Sequence, residues 1–226
     1  MTPRPIVAIV DDEPSVLRGL SRLLETADYS VQTFSSPDEF LNRPAGQSPA
    51  CLILDLNMPT MTGLELQERL RNGLETLPII FLSGTARVPD SVQALRQGAV
   101  DFLTKPVAAK DLLAAVSAAV QCHRTLVAEH ARREGMRALL ATLTPREREV
   151  GVLVTQGLLN KQIAWMLNIT ETTVKVHRGR VMEKLRVQSV PDLVRFLETL
   201  GVSNEVHGNA AATALPLAKS PAGVAE

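Results

Sequence analysis

Five short apolar segments alternate with helix-like segments through the first half of the chain, and this alternation constrains the fold more than any other feature. Helical patterns lie near 14–27, 37–43, 64–72 and 89–97 and continue from about 109. Because strands separated by helices pair in parallel and are covered on both faces, the pattern predicts an α/β doubly wound, five-stranded parallel sheet. The predicted strands are 6–10, 30–34, 51–54, 79–82 and 100–103.

Polar side chains follow most of these predicted strands. Asp11 and Asp12 follow the first strand, Asp55 the third, Ser83 the fourth and Lys105 the fifth. The carboxyl ends of parallel strands share one edge of a sheet, so we expect the three acids to converge there. Clustered carboxylates repel one another, and Mg²⁺ with its oxygen ligands relieves that repulsion. An acid, a cation, a hydroxyl and an ammonium together suit the acceptance of a phosphoryl group.

The segments that carry these side chains resemble the receiver domains of two-component systems, which have a CheY-like fold. The resemblance covers residues 5–121 and rests on segments 9–13, 55–63, 82–84 and 101–106, in that order. It implies that Asp55 is the phosphoacceptor. Asp12, Asp55 and the backbone carbonyl of Asn57 would bind Mg²⁺, with Asp11 acting through water.

The same resemblance assigns the remaining residues of the predicted site. Lys105 would contact the phosphoryl oxygens, and Ser83 would be the switch hydroxyl. Phe102 would be the aromatic side chain that turns inward on activation. Gly63 would shape the loop beneath the acceptor, and the peptide bond before Pro106 would be cis.

Two other classes of protein remain as alternatives. Phosphohydrolases of the haloacid dehalogenase type also use an aspartate at a strand end, but they place a second acid two residues later. Here that position is Asn57, a neutral amide, so we expect the chain not to be an enzyme. A constitutive DNA-binding protein would need its first domain only for dimerisation, and the complete set of Asp11, Asp12, Asp55, Ser83 and Lys105 argues against it.

The formal net charge of zero conceals two halves of opposite sign. Residues 1–121 contain 10 basic and 14 acidic side chains, whereas residues 122–226 contain 14 basic and 10 acidic ones. Such asymmetry predicts two domains with different partners, and the basic half suits a nucleic acid. Cys51 and Cys122 are the two cysteines of the chain and form no CxxC pair, so neither a disulfide framework nor a zinc site is expected.

The second half reads as all-α, with four short helices at 145–155, 160–167, 171–185 and 189–199. The middle pair has a helix-turn-helix pattern. Residues 171–186 contain five basic side chains against Glu171 and Glu183, and a basic helix presented by another helix suits the major groove of DNA.

Segments 143–150, 160–164, 172–177 and 184–187 resemble the LuxR/NarL-type DNA-binding domain. The resemblance implies base contacts by Lys175, Val176 and Arg178. For His177 a structural, half-buried role is an equal alternative. Phosphate contacts are implied for Thr172, Thr173, His177 and Lys184.

Two residues of this segment depart from the family pattern. Gly151 stands in place of a large aliphatic residue, so we expect looser packing of the first helix of this domain. Trp165 replaces a charged or small residue, and we expect it to pack against the linker or a partner.

The whole chain therefore resembles a FixJ-type response regulator. The expected domains are a receiver at 1–121, a helical linker at 122–142, a LuxR-type helix-turn-helix domain at 143–204 and a disordered tail at 205–226. The expected partners are a sensor histidine kinase, promoter DNA, RNA polymerase and a second copy of the chain. No stretch approaches the length of a membrane span, so we expect a cytoplasmic protein. The resemblance further implies that the protein activates transcription.

Overall fold

The computed structural model describes residues 4–44, 48–72, 77–84 and 88–202. The chain divides into two compact units, at residues 1–129 and 130–226, which are described separately. None of the helices in the described ranges is long and apolar enough to cross a membrane. The predicted tail at 205–226 lies outside the described residues.

The first unit contains a five-stranded parallel sheet with the strand order β2-β1-β3-β4-β5, which confirms the predicted fold class. β3 and β4 each run one residue further than predicted, to Asp55 and Ser83, because the backbones of these residues still pair with Leu82 and Thr104 of the neighbouring strands. The strands are β1 (Ile6–Val10), β2 (Ser30–Phe34), β3 (Cys51–Asp55), β4 (Ile79–Ser83) and β5 (Asp101–Thr104).

Helices cover both faces of this sheet. Alternate residues of β1 point to opposite sides, so Val7 and Ile9 join one core while Ala8 and Val10 join the other. The helices are α1 (Pro14–Thr26), α2 (Pro37–Leu41), α3 (Gly63–Asn72), α4 (Val88–Arg96) and α5 (Ala109–Ala141). The first core packs against α1 and the start of α5, and the second packs against α3.

The long helix α5 contains both the last helix of the predicted receiver and the predicted linker. Leu112 and Val116 are buried against the sheet, whereas Val127 is 53% exposed. Further along, Leu140 is buried in the core of the second unit. Residues 122–141 of the predicted linker are therefore helical, and the division between the two units falls within α5.

Up to residue 202, the second unit adds four helices after α5: α6 (Pro145–Thr155), α7 (Asn160–Leu167), α8 (Glu171–Lys184) and α9 (Val190–Thr199). Thr144 caps α6 in a capping box with Glu147, as the Thr-Pro sequence predicts. Val150, Ile163 and Val174 come from three different helices and meet in one fully buried core.

Gly151 lies inside this core, on the side of α6 that faces α8. A β-carbon built on Gly151 would lie 3.4 Å from Cγ1 of Val181. The missing side chain therefore lets the two helices approach closely. The expectation that Gly151 loosens the packing is wrong, because the neighbouring helix fills the space that a large side chain would take.

A buried ion pair joins the beginning of α6 to the end of α8. Glu147 is only 2% exposed, and its Oε2 lies 2.6 Å from Nζ of Lys184. The backbone N–H of Thr144 also donates to Oε2, at 2.9 Å, and Lys184 donates to the carbonyl of Thr142 at 3.1 Å. The hydrogen bond from Lys184, followed by those from Thr144, holds the pKa of Glu147 below its ordinary value.

Replacing Lys184 by Met tests this ion pair. The change leaves the buried carboxylate of Glu147 without its cation, and we expect the free energy of unfolding to fall by about 2 kcal/mol. Urea denaturation followed by far-ultraviolet circular dichroism at neutral pH measures the loss. Arg195→Met is the matched control, because its ion pair with Asp192 spans one turn of an exposed surface and contributes little.

The same ion pair predicts a dependence on pH. The pKa of Glu147 is lower in the folded chain than in the unfolded one, so its stabilisation is present above its ordinary pKa of 4.5. That stabilisation is lost as the pH falls through the folded pKa. The difference between wild type and Lys184→Met should therefore shrink in acid, and a difference that is constant with pH would contradict the assignment.

The position of Gly151 predicts that Gly151→Ala stabilises the second unit. Glycine inside a helix costs about 1 kcal/mol relative to alanine, and a methyl group 3.4 Å from Val181 makes an ordinary contact. Native-state hydrogen exchange of the amides of α6 and α8 measures the change. Gly179→Ala in α8 is the control, since no described atom lies within 4 Å of its added methyl group. A gain in the control alone would show that the methyl group does not fit at Gly151.

Candidate phosphoryl-acceptor site and nucleic-acid interface

The parallel sheet brings the predicted acidic and basic groups to its carboxyl edge. Asp55 and Ser83 are the last residues of β3 and β4, and Asp11 and Lys105 follow β1 and β5 directly. The backbone pairing extends past the strands, since the N–H of Lys105 donates to the carbonyl of Ser83 at 2.8 Å. The four residues therefore lie at one edge of the sheet.

The ammonium group of Lys105 lies between two buried carboxylates. Its Nζ is 2.7 Å from Oδ2 of Asp11 and 2.8 Å from Oδ1 of Asp55. The side chains of these aspartates are 1% and 6% exposed. Glu13 adds a third carboxylate, 3.8 Å from the same nitrogen, which the sequence reasoning missed although it directly follows the acid pair. Lys105 thus supplies the counter-charge for the cluster.

Burial and ion pairing shift the pKa values of Asp55 and Lys105 in opposite directions. Burial raises the pKa of Asp55, and this effect exceeds the lowering by its hydrogen bond to Lys105. Burial alone would lower the pKa of Lys105, but its hydrogen bonds to Asp11 and Asp55 outweigh this and raise that pKa. The ammonium group therefore stays charged and holds both aspartates.

The backbone around Asp55 orients its carboxylate. The N–H of Asn57 donates to Oδ2 at 2.9 Å, while Lys105 holds Oδ1. Gly63 packs tightly beneath, because an added β-carbon would lie 2.4 Å from the backbone carbonyl oxygen of Asp55. Any other residue at position 63 would push the end of β3 away from the site.

The expected metal ligands are brought together only in part. Asp11 and Asp55 converge on Lys105, whereas Asp12 is exposed. Among the described residues, no group of three or more His, Cys, Asp or Glu side chains is arranged to hold a metal ion. Asp11 and Asp55 thus converge at Lys105, and the approach of Asp12 to these two acids stays a prediction. These two carboxylates, with Glu13 nearby, are hard oxygen donors that outnumber the single ammonium, and such a set fits Mg²⁺ in its chemistry.

The two predicted switch residues, Ser83 and Phe102, lie on the neighbouring strands β4 and β5. Ser83 is fully buried at the end of β4. Phe102 is half-buried on β5, and its ring stacks on that of Phe81 with centroids 6.2 Å apart and planes 28° apart. The peptide bond between Lys105 and Pro106 is cis, as predicted.

The second candidate site is the outer face of α8. Thr170 caps this helix by accepting a hydrogen bond from the N–H of Thr173, and Val174 and Val181 bury its inner face. Thr173 is half-buried, with its hydroxyl 2.8 Å from that of Thr170. The exposed outer face carries Thr172, Lys175, Val176 and Arg180.

The other residues predicted to contact DNA are partly buried or are held by contacts within their own domain. Arg178 is half-buried, and its guanidinium makes a long 3.5 Å contact with Oδ1 of Asn160 at the start of α7. The Nδ1 atom of His177 is buried and has no hydrogen-bond partner among the described residues. Lys184 is engaged by Glu147, so its ammonium serves the fold of its own domain. Trp165 is 84% exposed, so within the described residues it does not pack against the linker as expected.

Two protein families match this chain. The response regulator receiver domain matches residues 7–117, and the luxR family of bacterial regulatory proteins matches residues 141–197. The two matched segments thus correspond to the acidic site and to the helical domain that carries α8.

Relatives with the same two-part organisation align with most of the chain. The response regulator protein TmoT of Ectopseudomonas mendocina is 43% identical over 195 residues, which cover 86% of this chain and 89% of that protein. The transcriptional regulatory protein FixJ of Bradyrhizobium diazoefficiens is 33% identical and is covered completely, over 91% of this chain.

Solved structures agree with these matches. The structure of the response regulator StyR has a TM-score of 0.75 and 40% identity, and covers 86% of this chain and 98% of its own. Full-length FixJ from B. japonicum has a TM-score of 0.55 and 33% identity, with 90% and 100% coverage. The chain therefore belongs to the FixJ-type response regulators, which join a receiver domain to a LuxR-type DNA-binding domain.

Proposed function

We propose that this protein regulates transcription in response to phosphorylation of Asp55 by a sensor histidine kinase. The observation that carries the proposal is the ammonium of Lys105, which bridges the buried carboxylates of Asp11 and Asp55. A buried, charge-balanced carboxylate at a strand end is a nucleophile whose surroundings already contain the cation that a phosphoryl group needs.

In the proposed reaction, a carboxylate oxygen of Asp55 attacks the phosphorus of a phosphohistidine. The bond from phosphorus to the histidine nitrogen breaks, and an aspartyl phosphate forms. The N–H of Asn57 holds one carboxylate oxygen, and Lys105 neutralises the phosphoryl oxygens. Asp11, Asp12, Asp55 and the carbonyl of Asn57 are the proposed ligands of Mg²⁺, which supplies further positive charge when bound.

Phosphorylation replaces one negative charge at the edge of the sheet by about two. We propose that the hydroxyl of Ser83 then donates to the phosphoryl group and that Phe102 follows it inward. The face formed by α4 and α5 would change and pair with a second copy of the chain. Val92 and Leu95 are 41% and 48% exposed on α4, which supports an apolar contact there.

The proposed dimer presents two copies of α8 to half-sites about one helical turn of DNA apart. Lys175 and Val176 are the exposed candidates for base contacts, and Arg178 would join them after leaving Asn160. Thr172 and Thr173 lie at the N-terminal end of α8, where phosphate oxygens bind readily. His177, in the middle of the helix, is a further candidate for a phosphate contact. We propose that the bound dimer activates transcription through RNA polymerase.

Replacing Asp55 by Asn tests the acceptor. The amide is not a nucleophile, so we expect labelling by radioactive acetyl phosphate to disappear, and removal of Mg²⁺ by a chelator to abolish labelling of the wild type. Asp38→Asn, an exposed acid in α2, is the control and should be labelled normally. Labelling of Asp55→Asn at the wild-type level would overturn the assignment.

Replacing Lys175 by Ala tests the DNA-binding face. A lysine that meets a phosphate contributes about one unit to the slope of log affinity against log salt concentration, whereas a base contact changes sequence preference. We expect weaker binding to promoter fragments, measured by fluorescence anisotropy at several salt concentrations. Arg18→Ala, at an exposed position on α1 away from the proposed dimer face, should leave binding unchanged. Equal losses from both variants would show that α8 has no special role.

A further inference from the structure

A cavity of about 320 Å³ lies at the amino edge of the sheet, opposite the edge that carries Asp55. Ile79, the first residue of β4, and Val100, which directly precedes β5, form part of its wall. The remaining wall comes from α3, from the turn after α4 and from α5, all in the first unit. This volume is within the range of pockets that bind small molecules, and the phosphoryl chemistry makes no use of it.

Most of the cavity wall is aliphatic. Leu70 comes from α3, Leu77 and Ile79 from the start of β4, and Leu126 from α5. Arg71 also lines the cavity, and its guanidinium lies 4.0 Å from the carboxylate of Glu68, with both side chains more than half exposed. The interior therefore suits an uncharged apolar body, since burying a charge in such surroundings is unfavourable.

Two glutamine side chains interrupt this apolar wall, and each has a buried carbonyl oxygen. Gln67 is 3% exposed, and its amide nitrogen donates to the backbone carbonyl of Ala94 at 3.3 Å. This bond orients the amide, so the oxygen Oε1 is the atom left over, and it has no hydrogen-bond partner among the described residues. Oε1 of Gln97 is also buried and has no hydrogen-bond partner in the part of the chain that the structure describes. Both glutamines line the cavity.

Buried acceptors without a partner are uncommon in folded proteins, because each has lost its hydrogen bonds to water. Two such acceptors on one cavity define what a ligand must bring, which is a hydrogen-bond donor. We propose that this cavity binds a small neutral molecule with an apolar body and an O–H or N–H donor, of the size of a phenol or a small alcohol. The donor would meet the oxygen of Gln97.

Such a ligand would also connect structural elements. Gln67 belongs to α3, whereas Ala94 and Gln97 belong to α4 and the turn that follows it. A molecule bound between them would hold the end of α4 against α3. The proposal does not depend on Asp55 or on the proposed dimer, so it stands or fails independently of the phosphorylation switch.

Cys122 provides a local reporter for the test in the full-length chain. This thiol is exposed and lines the cavity, whereas Cys51 is fully buried and burial raises its pKa to about 12. Ellman's reagent should therefore react with Cys122 alone. Phenol and fluorobenzene are suitable probes, because they have nearly the same size and differ in the presence of an O–H donor.

We expect phenol to slow the modification of Cys122, by about tenfold when nine-tenths of the sites are occupied, and fluorobenzene to have little effect. Phenol should also raise the melting temperature of the chain more than fluorobenzene does. Equal effects of the two probes, or no effect of phenol up to the concentration that denatures the chain, would overturn the proposal.

Gln97→Met removes one acceptor at similar side-chain volume and keeps the bond between Gln67 and Ala94. We expect this variant to lose most of the protection by phenol. Gln93→Met, at an exposed position one turn earlier on α4, is the matched control and should keep it. Continued resistance of Cys51 to the reagent verifies that each variant is folded. Full protection in a folded Gln97→Met variant, or its loss in Gln93→Met, would overturn the proposal that the oxygen of Gln97 accepts the hydrogen bond of the ligand.

Discussion

Two carboxylates buried at one edge of a sheet repel each other unless a cation lies between them, and in this protein Lys105 is that cation. Its ammonium touches Asp11 after β1 and Asp55 at the end of β3, while its backbone N–H pairs with Ser83 at the end of β4. One residue thus joins the ends of several strands. Any change in the charge of Asp55 must alter this balance, and β5 carries Phe102 three residues before Lys105.

The DNA-binding domain uses the same physical device for a different purpose. Glu147 is buried and needs Lys184, and their contact ties the beginning of α6 to the end of α8. This orients the helix whose outer face carries Lys175. One basic residue of α8 therefore maintains the fold and another is exposed to solvent, although a count of charges treats them alike.

Much of the architecture could be predicted from local patterns. The strands were located to within a residue because runs such as 51–54 and 79–82 are apolar throughout and are bounded by charged or turn residues. The cap of α6 followed from Thr144 and Glu147, which are three residues apart. The contacts of Lys184 and Gly151 inside the domain could not be predicted from the sequence, because their partners, Glu147 and Val181, are 37 and 30 positions away in the chain. No local pattern encodes such contacts.

The sequence by itself determined the order of strands and helices, the presence of acids at the strand ends and the division of charge between two domains, because these follow from short-range periodicity and from residue type. Only the tertiary structure decided that Lys105 binds Asp11 and Asp55 together and that Asp12 remains exposed. It also placed Gln67 and Gln97 on one cavity. These outcomes depend on burial, which removes water as a partner and forces distant polar groups to pair with each other or to remain unpaired.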